Sequence, residues 1–336
     1  MAERTLSKFQ YGLEATRGTP VAATRILGAD IKGVPMDRTW ESIAYANGRR
    51  SNANFKRSDQ LLVRDTLSIS NGYFQAVPVL GQCSLDGTIT PVEQTGAQGD
   101  YLWAIAPSFT ALNDPDTLTL EMGDEVQEYE VEYVMFDRLR FAGEIAQDGG
   151  SSPVAIEAGY FGRQVTPATF TAGQALHTGL TPINAKLARL YKDATWAGAG
   201  TTELTNLMRG FEVEILTGTH PKFMASADKY FTTHGESQIT AMITLTLEGA
   251  AAADTIYDEY QAGTERALRL QLNGPQIGTG LTYRVRFDVF GYWAEVVPLN
   301  AESNLNNLHR ALFVSKDDTV GPNIFTMDVI TNNNLV

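Results

Sequence analysis

Apolar and polar positions alternate with a period of two along most of the chain, the strand period. Phe211, Val213 and Ile215 alternate with polar partners. Ile243, Leu245 and Leu247 share one face of their segment, with threonines largely on the other. Tyr283, Val285, Phe287 and Val289 are separated by Arg284, Arg286 and Asp288, and Tyr129, Val131, Tyr133 and Met135 by Glu130, Glu132 and Val134. Leu118 and Leu120, then Val154, Ile156 and Ala158, read the same way. One-sided alternation of this kind predicts antiparallel sheets with one buried face and one face left wet or held for a partner.

Few helices are predicted. The best is Asp254 to Ala262, capped by Asp254 and stopped by Gly263, with Ile256, Tyr257 and Tyr260 inward. A second starts at Tyr73 and is limited by Pro78 and Gly81, and a third lies within Asn304 to Leu312. The order of elements occurs twice. A strand (Leu61 to Ser70) passes through Asn71-Gly72 into the helix at Tyr73, and a strand (Ile239 to Glu248) passes through Gly249 into the helix at Asp254. Each is followed by an aromatic-rich strand, Tyr129 to Arg140 and Tyr283 to Val296. The stretch from Thr166-Pro167 to Thr181-Pro182 reads as the linker, which divides the chain into two β domains, 1–172 and 173–336. The fold class expected is mainly β, each domain an antiparallel sandwich or barrel with one short flanking helix.

Composition narrows the function. With 336 residues and 43% hydrophobic content, both halves can bury a core. No apolar run is long enough to span a membrane, and Met1 to Thr5 lacks a secretory pattern, so a cytoplasmic site of synthesis and use is expected. The single Cys83 excludes an intrachain disulfide and a thiolate cluster and reads as a packing residue. The net charge of −13 argues against tight binding to phosphate backbones. Four histidines are scattered without ligand spacing, and no nucleophile elbow, phosphate loop or dinucleotide fingerprint occurs. Neither an enzyme nor a cofactor is therefore expected, although counting carboxylate pairs does not exclude a β-rich hydrolase.

Two charge patterns stand out. From Asn113 to Asp148 there are eleven acids against Arg138 and Arg140. Within that run Glu128, Glu130 and Glu132 alternate on one strand face, with Asp137 beyond them. Like charges side by side are destabilising unless they point into open water, which either a water-filled channel or the outer surface supplies. The second pattern is basic: Arg49, Arg50, Lys56, Arg57 and Arg64 surround the polar run Ser51 to Asn54, read as a docking arm or a solvated loop.

The segment Phe9-Gln10-Tyr11-Gly12-Leu13-Glu14-Ala15-Thr16-Arg17-Gly18-Thr19-Pro20-Val21-Ala22-Ala23-Thr24 resembles the opening "G-x-E-x-x-x-G-T-P-V-A-A-T" of the tail tube proteins of long-tailed bacteriophages. Further stretches are similar to the same family. They are Ala106-Pro107-Ser108-Phe109-Thr110, as a strand entry, and the paired strands from Arg138-Leu139-Arg140 to Tyr160-Phe161-Gly162-Arg163. The last runs from Arg209-Gly210-Phe211 through Gly235 to Leu245 and on to Arg266 to Leu270. The resemblance implies tandem tail-tube-type β domains and a structural virion protein that assembles itself into stacked rings. It implies a tube through which DNA passes without specific binding, assembly in the host cytoplasm, and tape measure, tail tip and terminator proteins as partners. Two domains per chain imply a trimeric ring with pseudo-sixfold symmetry. Under it Glu128, Glu130, Glu132 and Asp137 are the lumen-facing candidates, and Arg49, Arg50, Lys56 and Arg57 the inter-ring docking candidates. The rival readings are a carbohydrate- or receptor-binding β-sandwich module of a phage tail and the hydrolase already mentioned.

Overall fold

The computed structural model describes residues 7–30, 40–42, 55–57, 60–96, 98–124, 126–303, 306–318 and 324–333. The fold is mainly β and antiparallel. The first half holds β1 (Lys8–Leu13), β2 (Arg25–Ile26), β3 (Trp40–Ser42), β4 (Phe55–Arg57), β5 (Val63–Ile69), β6 (Val92–Glu93), β7 (Tyr101–Ile105), β8 (Leu118–Gly123), β9 (Glu128–Glu144), β10 (Val154–Gly162) and β11 (Gln164–Pro167). The second holds β12 (Ala188–Asp193), β13 (Met208–Leu216), β14 (His220–Lys222), β15 (Thr233–Gly235), β16 (Thr240–Glu248), β17 (Glu265–Gln276), β18 (Thr282–Ser303), β19 (Asn306–Ser315) and β20 (Phe325–Thr331). Two short helices, α1 (Val77–Gln82) and α2 (Ala251–Ala262), follow β5 and β16.

The alternation read from the sequence holds where sheets are half buried. In β16, Ala241, Ile243, Leu245 and Leu247 are buried, while Met242, Thr244 and Thr246 face outward. β10 and β13 behave alike. Four expectations fail. Asn306 to Leu312 is not helical but lies in β19, because its backbone pairs with both β16 and β18. Pro78 does not limit α1 but sits in its first turn, where a missing N–H is tolerated. Asp254 does not cap α2: the helix begins at Ala251, and Asp254 lies in its first turn, while Gly263 ends it at φ 64° as expected. Ala106 to Thr110 is not a strand entry but an irregular segment after β7.

Two strands are much longer than the sequence suggested, because each serves two sheets. The first part of β9 pairs with β8 and β11, and its second part with β10 and β13. The first part of β18 pairs with β17 and β20, and its second part with β19. The pairing set β1–β8–β9–β11 with β5–β10–β9 therefore recurs as β12–β17–β18–β20 with β16–β19–β18. Each hairpin also carries one extra residue at the same place. Gly159 faces Arg138 and Tyr160 faces Phe136, which leaves Asp137 over; Leu312 faces Glu295 and Phe313 faces Trp293, which leaves Ala294 over.

The halves do not part into separate sheets. β13 pairs with β9 over Gly210 to Leu216, so one seven-stranded sheet runs β5–β10–β9–β13–β16–β19–β18. Its inner face shares one apolar core with the flanking sheets, as in the Phe141–Phe287 contact at 5.0 Å between ring centroids. Cys83 is fully buried in that core, and burial pushes its thiol up.

Candidate assembly surface

The outer face of the seven-stranded sheet carries a row of cross-strand ion pairs. Its side chains come from the polar positions of the alternation, so the same periodicity that builds the core builds this face. Arg140 on β9 is bracketed by Glu157 on β10 (3.1 Å) and Glu212 on β13 (2.7 Å). Arg138 meets Glu214 across the same seam at 2.5 Å. Arg209 pairs with Glu248 (2.6 Å) and Arg310 with Glu295 (3.2 Å) on the following strands. The Arg140 guanidinium holds the Glu212 carboxyl below its usual range, and Glu212 in turn raises Arg140. Arg64 reaches Asp137 at 3.5 Å over β10, which it can do because Gly159 lies beneath: a Cβ there would come within 2.8 Å of Asp137 Oδ1. Burial raises the Asp137 carboxyl, and Arg64 opposes that. The face is thus a lattice of cross-strand pairs, each half-exposed and individually modest in strength.

The four acidic candidates do not form one row. β9 turns at Tyr133, which sits in the left-handed region at φ 54°. Glu128, Glu130 and Glu132 lie before the turn on the sheet shared with β8 and β11, and Asp137 lies after it on the seven-stranded sheet. Glu128 accepts from the Phe170 amide at 2.6 Å, and Glu132 pairs with Arg163 at 2.7 Å. Glu130 is raised by burial and then by Glu121, its direct partner on β8, and by Glu132. Of the basic candidates, Lys56 and Arg57 lie in β4, opposite Glu41 and Trp40 of β3. Arg49 and Arg50 lie outside the described residues.

The turn in β9 has a cause that no local pattern signals. The buried Glu14 carboxylate accepts four hydrogen bonds: from Gly18 N (2.7 Å), Thr117 Oγ1 (2.7 Å), Thr119 Oγ1 (3.1 Å) and Tyr133 N (2.8 Å). A left-handed tyrosine costs about 1–2 kcal/mol, and Glu14 holds it by its amide. Gly18, at φ 71°, lies against the Arg163 guanidinium, which donates to the Gly18 carbonyl and to Glu132. The glutamate and glycine of the opening motif therefore form a clamp between β1, β8 and the bend of β9.

A second unpredicted contact comes from the connection between β13 and β16. Phe231 is buried there against Tyr133 (5.0 Å), Phe161 (5.6 Å) and Phe223 (6.3 Å), a small aromatic cluster apart from the main core. Thr217 and Thr219 cap the main chain at the bulge, both donating from their hydroxyls to Phe136 O (3.1 and 3.2 Å), with Thr217 N donating to Asp137 O (3.1 Å). Among the described residues no group of three or more His, Cys, Asp or Glu side chains could hold a metal ion. Among the described residues no helix is long and apolar enough to cross a membrane. No protein-family model matches the chain, and no curated protein matches it.

Proposed function

We propose that this chain is a structural, non-catalytic virion protein of the tail tube type. In this reading 1–172 and 173–336 are tandem β domains, each with a short flanking helix, and copies assemble into stacked rings. The observation that carries the reading is the seven-stranded sheet. Strands from both halves build it, the β9–β13 seam joins them, and among the described residues its terminal strand β18 has no strand partner along Trp293 to Pro298 on the edge away from β19. An open edge of this kind invites another chain, and closing the sheet into a barrel removes the edge.

The arithmetic suits a channel. Three copies would contribute about 21 such strands; at ~4.8 Å per strand and a tilt near 36–45° the backbone circle is about 40–45 Å across. That is wider than the 16- to 18-stranded barrels that already hold an aqueous channel. The outer face of the sheet, whose ion pairs among the described residues join five arginines to six carboxylates, would line it with a slight acidic excess that gives DNA no phosphate grip. Tape measure, tail tip and terminator proteins would be its partners, the virion tail its location, and the host cytoplasm its place of assembly. Negative-stain microscopy and native mass measurement test this: rings of three chains are expected, and rings of six, or a chain that stays single at every concentration, would overturn it.

A further inference from the structure

Around the bulge the registers of the two hairpins align residue for residue. With the extra residues Asp137 and Ala294 matched, Met135 corresponds to Tyr292, Phe136 to Trp293 and Phe161 to Val314. Both pairs sit directly opposite in their ladders: Phe161 faces Met135, and Val314 faces Tyr292. Their surroundings differ. Met135 and Phe161 are wholly buried, whereas Tyr292 is 40% exposed, Ala294 is exposed and Val314 is half-buried.

The difference is the cover. On β9 it is supplied mainly by the β13–β16 connection, with Leu62 beside it: Phe231 and Phe223 close the apolar pair, and Thr217 and Thr219 occupy the carbonyls of Phe136 and Asp137. That connection carries the β14–β15 hairpin, and β13 runs on as the next strand of the sheet. On β18 the matching surface has no such cover among the described residues. The matching connection in the first half lies between β2 and β5 and carries the β3–β4 hairpin. It is tied to β5, at the opposite end of the seven-stranded sheet from β18, six strand spacings or about 29 Å away.

We propose that Tyr292, Val314 and the outer edge of β18 from Trp293 to Pro298 receive the first half of a second copy of this chain, as β9 receives the second half of its own. The contact is head-to-tail, with different surfaces on the two copies. Such contacts propagate into a ring or a filament, whereas a two-fold contact stops at a dimer. Tyr292 is the apolar anchor, and main-chain bonds along Trp293 to Pro298 set the register. The inference rests on the ring-forming reading and adds which surface and which half meet.

The test uses the full chain in sedimentation velocity and negative-stain microscopy over a concentration series. Tyr292→Glu is expected to raise the concentration for half-assembly at least about 30-fold, the loss typical of removing one central anchor, with an unchanged circular dichroism spectrum and melting temperature. Tyr292→Phe and Leu112→Glu, the latter on a 79% exposed side chain elsewhere, should assemble like wild type. A head-to-tail contact has a further signature. Tyr292→Glu keeps the other surface, so a minority of it should cap growing wild-type assemblies. If Tyr292→Glu assembles like wild type, the surface assignment falls and the ring reading stands. If wild type itself never assembles, both fall. If Tyr292→Glu fails to assemble but does not cap, the contact is not head-to-tail and the proposal is overturned.

Discussion

Replacing Glu14 by glutamine tests the clamp with almost no change in shape. The carboxylate only accepts, and it accepts from two backbone amides, Gly18 N on Oε2 and Tyr133 N on Oε1. A glutamine presents an oxygen on one side and an NH2 group on the other. The two threonine hydroxyls can rotate to suit it, but a backbone N–H cannot. Whichever way the amide lies, one N–H of a buried site faces a donor. An unsatisfied buried donor costs about 1–3 kcal/mol, and the remaining bonds lose the assistance of charge. We expect Glu14→Gln to destabilise by about 2–4 kcal/mol in urea unfolding followed by tryptophan fluorescence. Hydrogen exchange should rise first at Gly18 or at Tyr133 in the bend of β9. Thr117→Val removes one hydroxyl donor and leaves both amides satisfied, so it should cost clearly less. A Glu14→Gln protein within about 0.5 kcal/mol of wild type would refute the clamp.

Four further outcomes follow from named contacts. Phe231→Ala removes the ring that covers Tyr133 and Phe161 and should cost about 3 kcal/mol; limited proteolysis should then cut within 223–232 before the core unfolds, and an intact connection would contradict this. Burial beside the Tyr11 hydroxyl, and then Arg25, lowers His177 to about 4. The unfolded chain therefore binds more protons between about 6.5 and about 4, so stability falls as pH drops through that window, by up to about 3 kcal/mol; His177→Gln should flatten this part of the wild-type pH profile. Arg140→Met leaves Glu157 and Glu212 unpaired and should cost about 1 kcal/mol at low salt, with the Glu212 carboxyl rising in an NMR titration. Gly263→Ala meets nothing within 4 Å, so its cost of about 1 kcal/mol should come from the left-handed backbone alone and show in thermal melts.

Much of the strand framework was legible because half-buried strands write their burial into a period of two. β16 and β13 are examples. β19 was misread because Leu305, Leu308 and Leu312 have helical spacing. Pairing on both sides of the strand overrode that local signal. Pro78 was read as a stop because proline breaks helix interiors, but in a first turn it is compatible with helix. The three alternating glutamates were visible, and so was Asp137. What separates them, the left-handed Tyr133, was not, since a tyrosine gives no hint of positive φ. Glu14 escaped for a related reason: its partners at Thr117, Thr119 and Tyr133 lie more than 100 residues away, where no window reaches. The order G-x-E-x-x-x-G was legible as a motif, but its physical purpose needed the fold.

The recurrence of one pairing set, with a bulge at the same step, ties these observations together. A bulge bends its strand and leaves carbonyls that the regular ladder does not use. On β9 those carbonyls are taken by Thr217 and Thr219, and the strand leaving that site becomes the next strand of the sheet. This seam forms within one chain, where the two halves are tethered and their effective concentration is high. On the proposed reading the seam at β18 has the same design without the tether, so mass action governs it. The asymmetry at corresponding positions then follows: a wholly buried Met135 where the partner is covalently attached, and a half-wet Tyr292 where the partner must be found. A tyrosine suits that place, since its ring can be buried by a partner while its hydroxyl keeps the unassembled surface soluble. The same reasoning accounts for the polar lattice on the outer face. Pairs such as Arg140 with Glu157 and Glu212 neutralise charge across neighbouring strands, so copies can be brought side by side without accumulating the repulsion that an unbroken acidic row would impose.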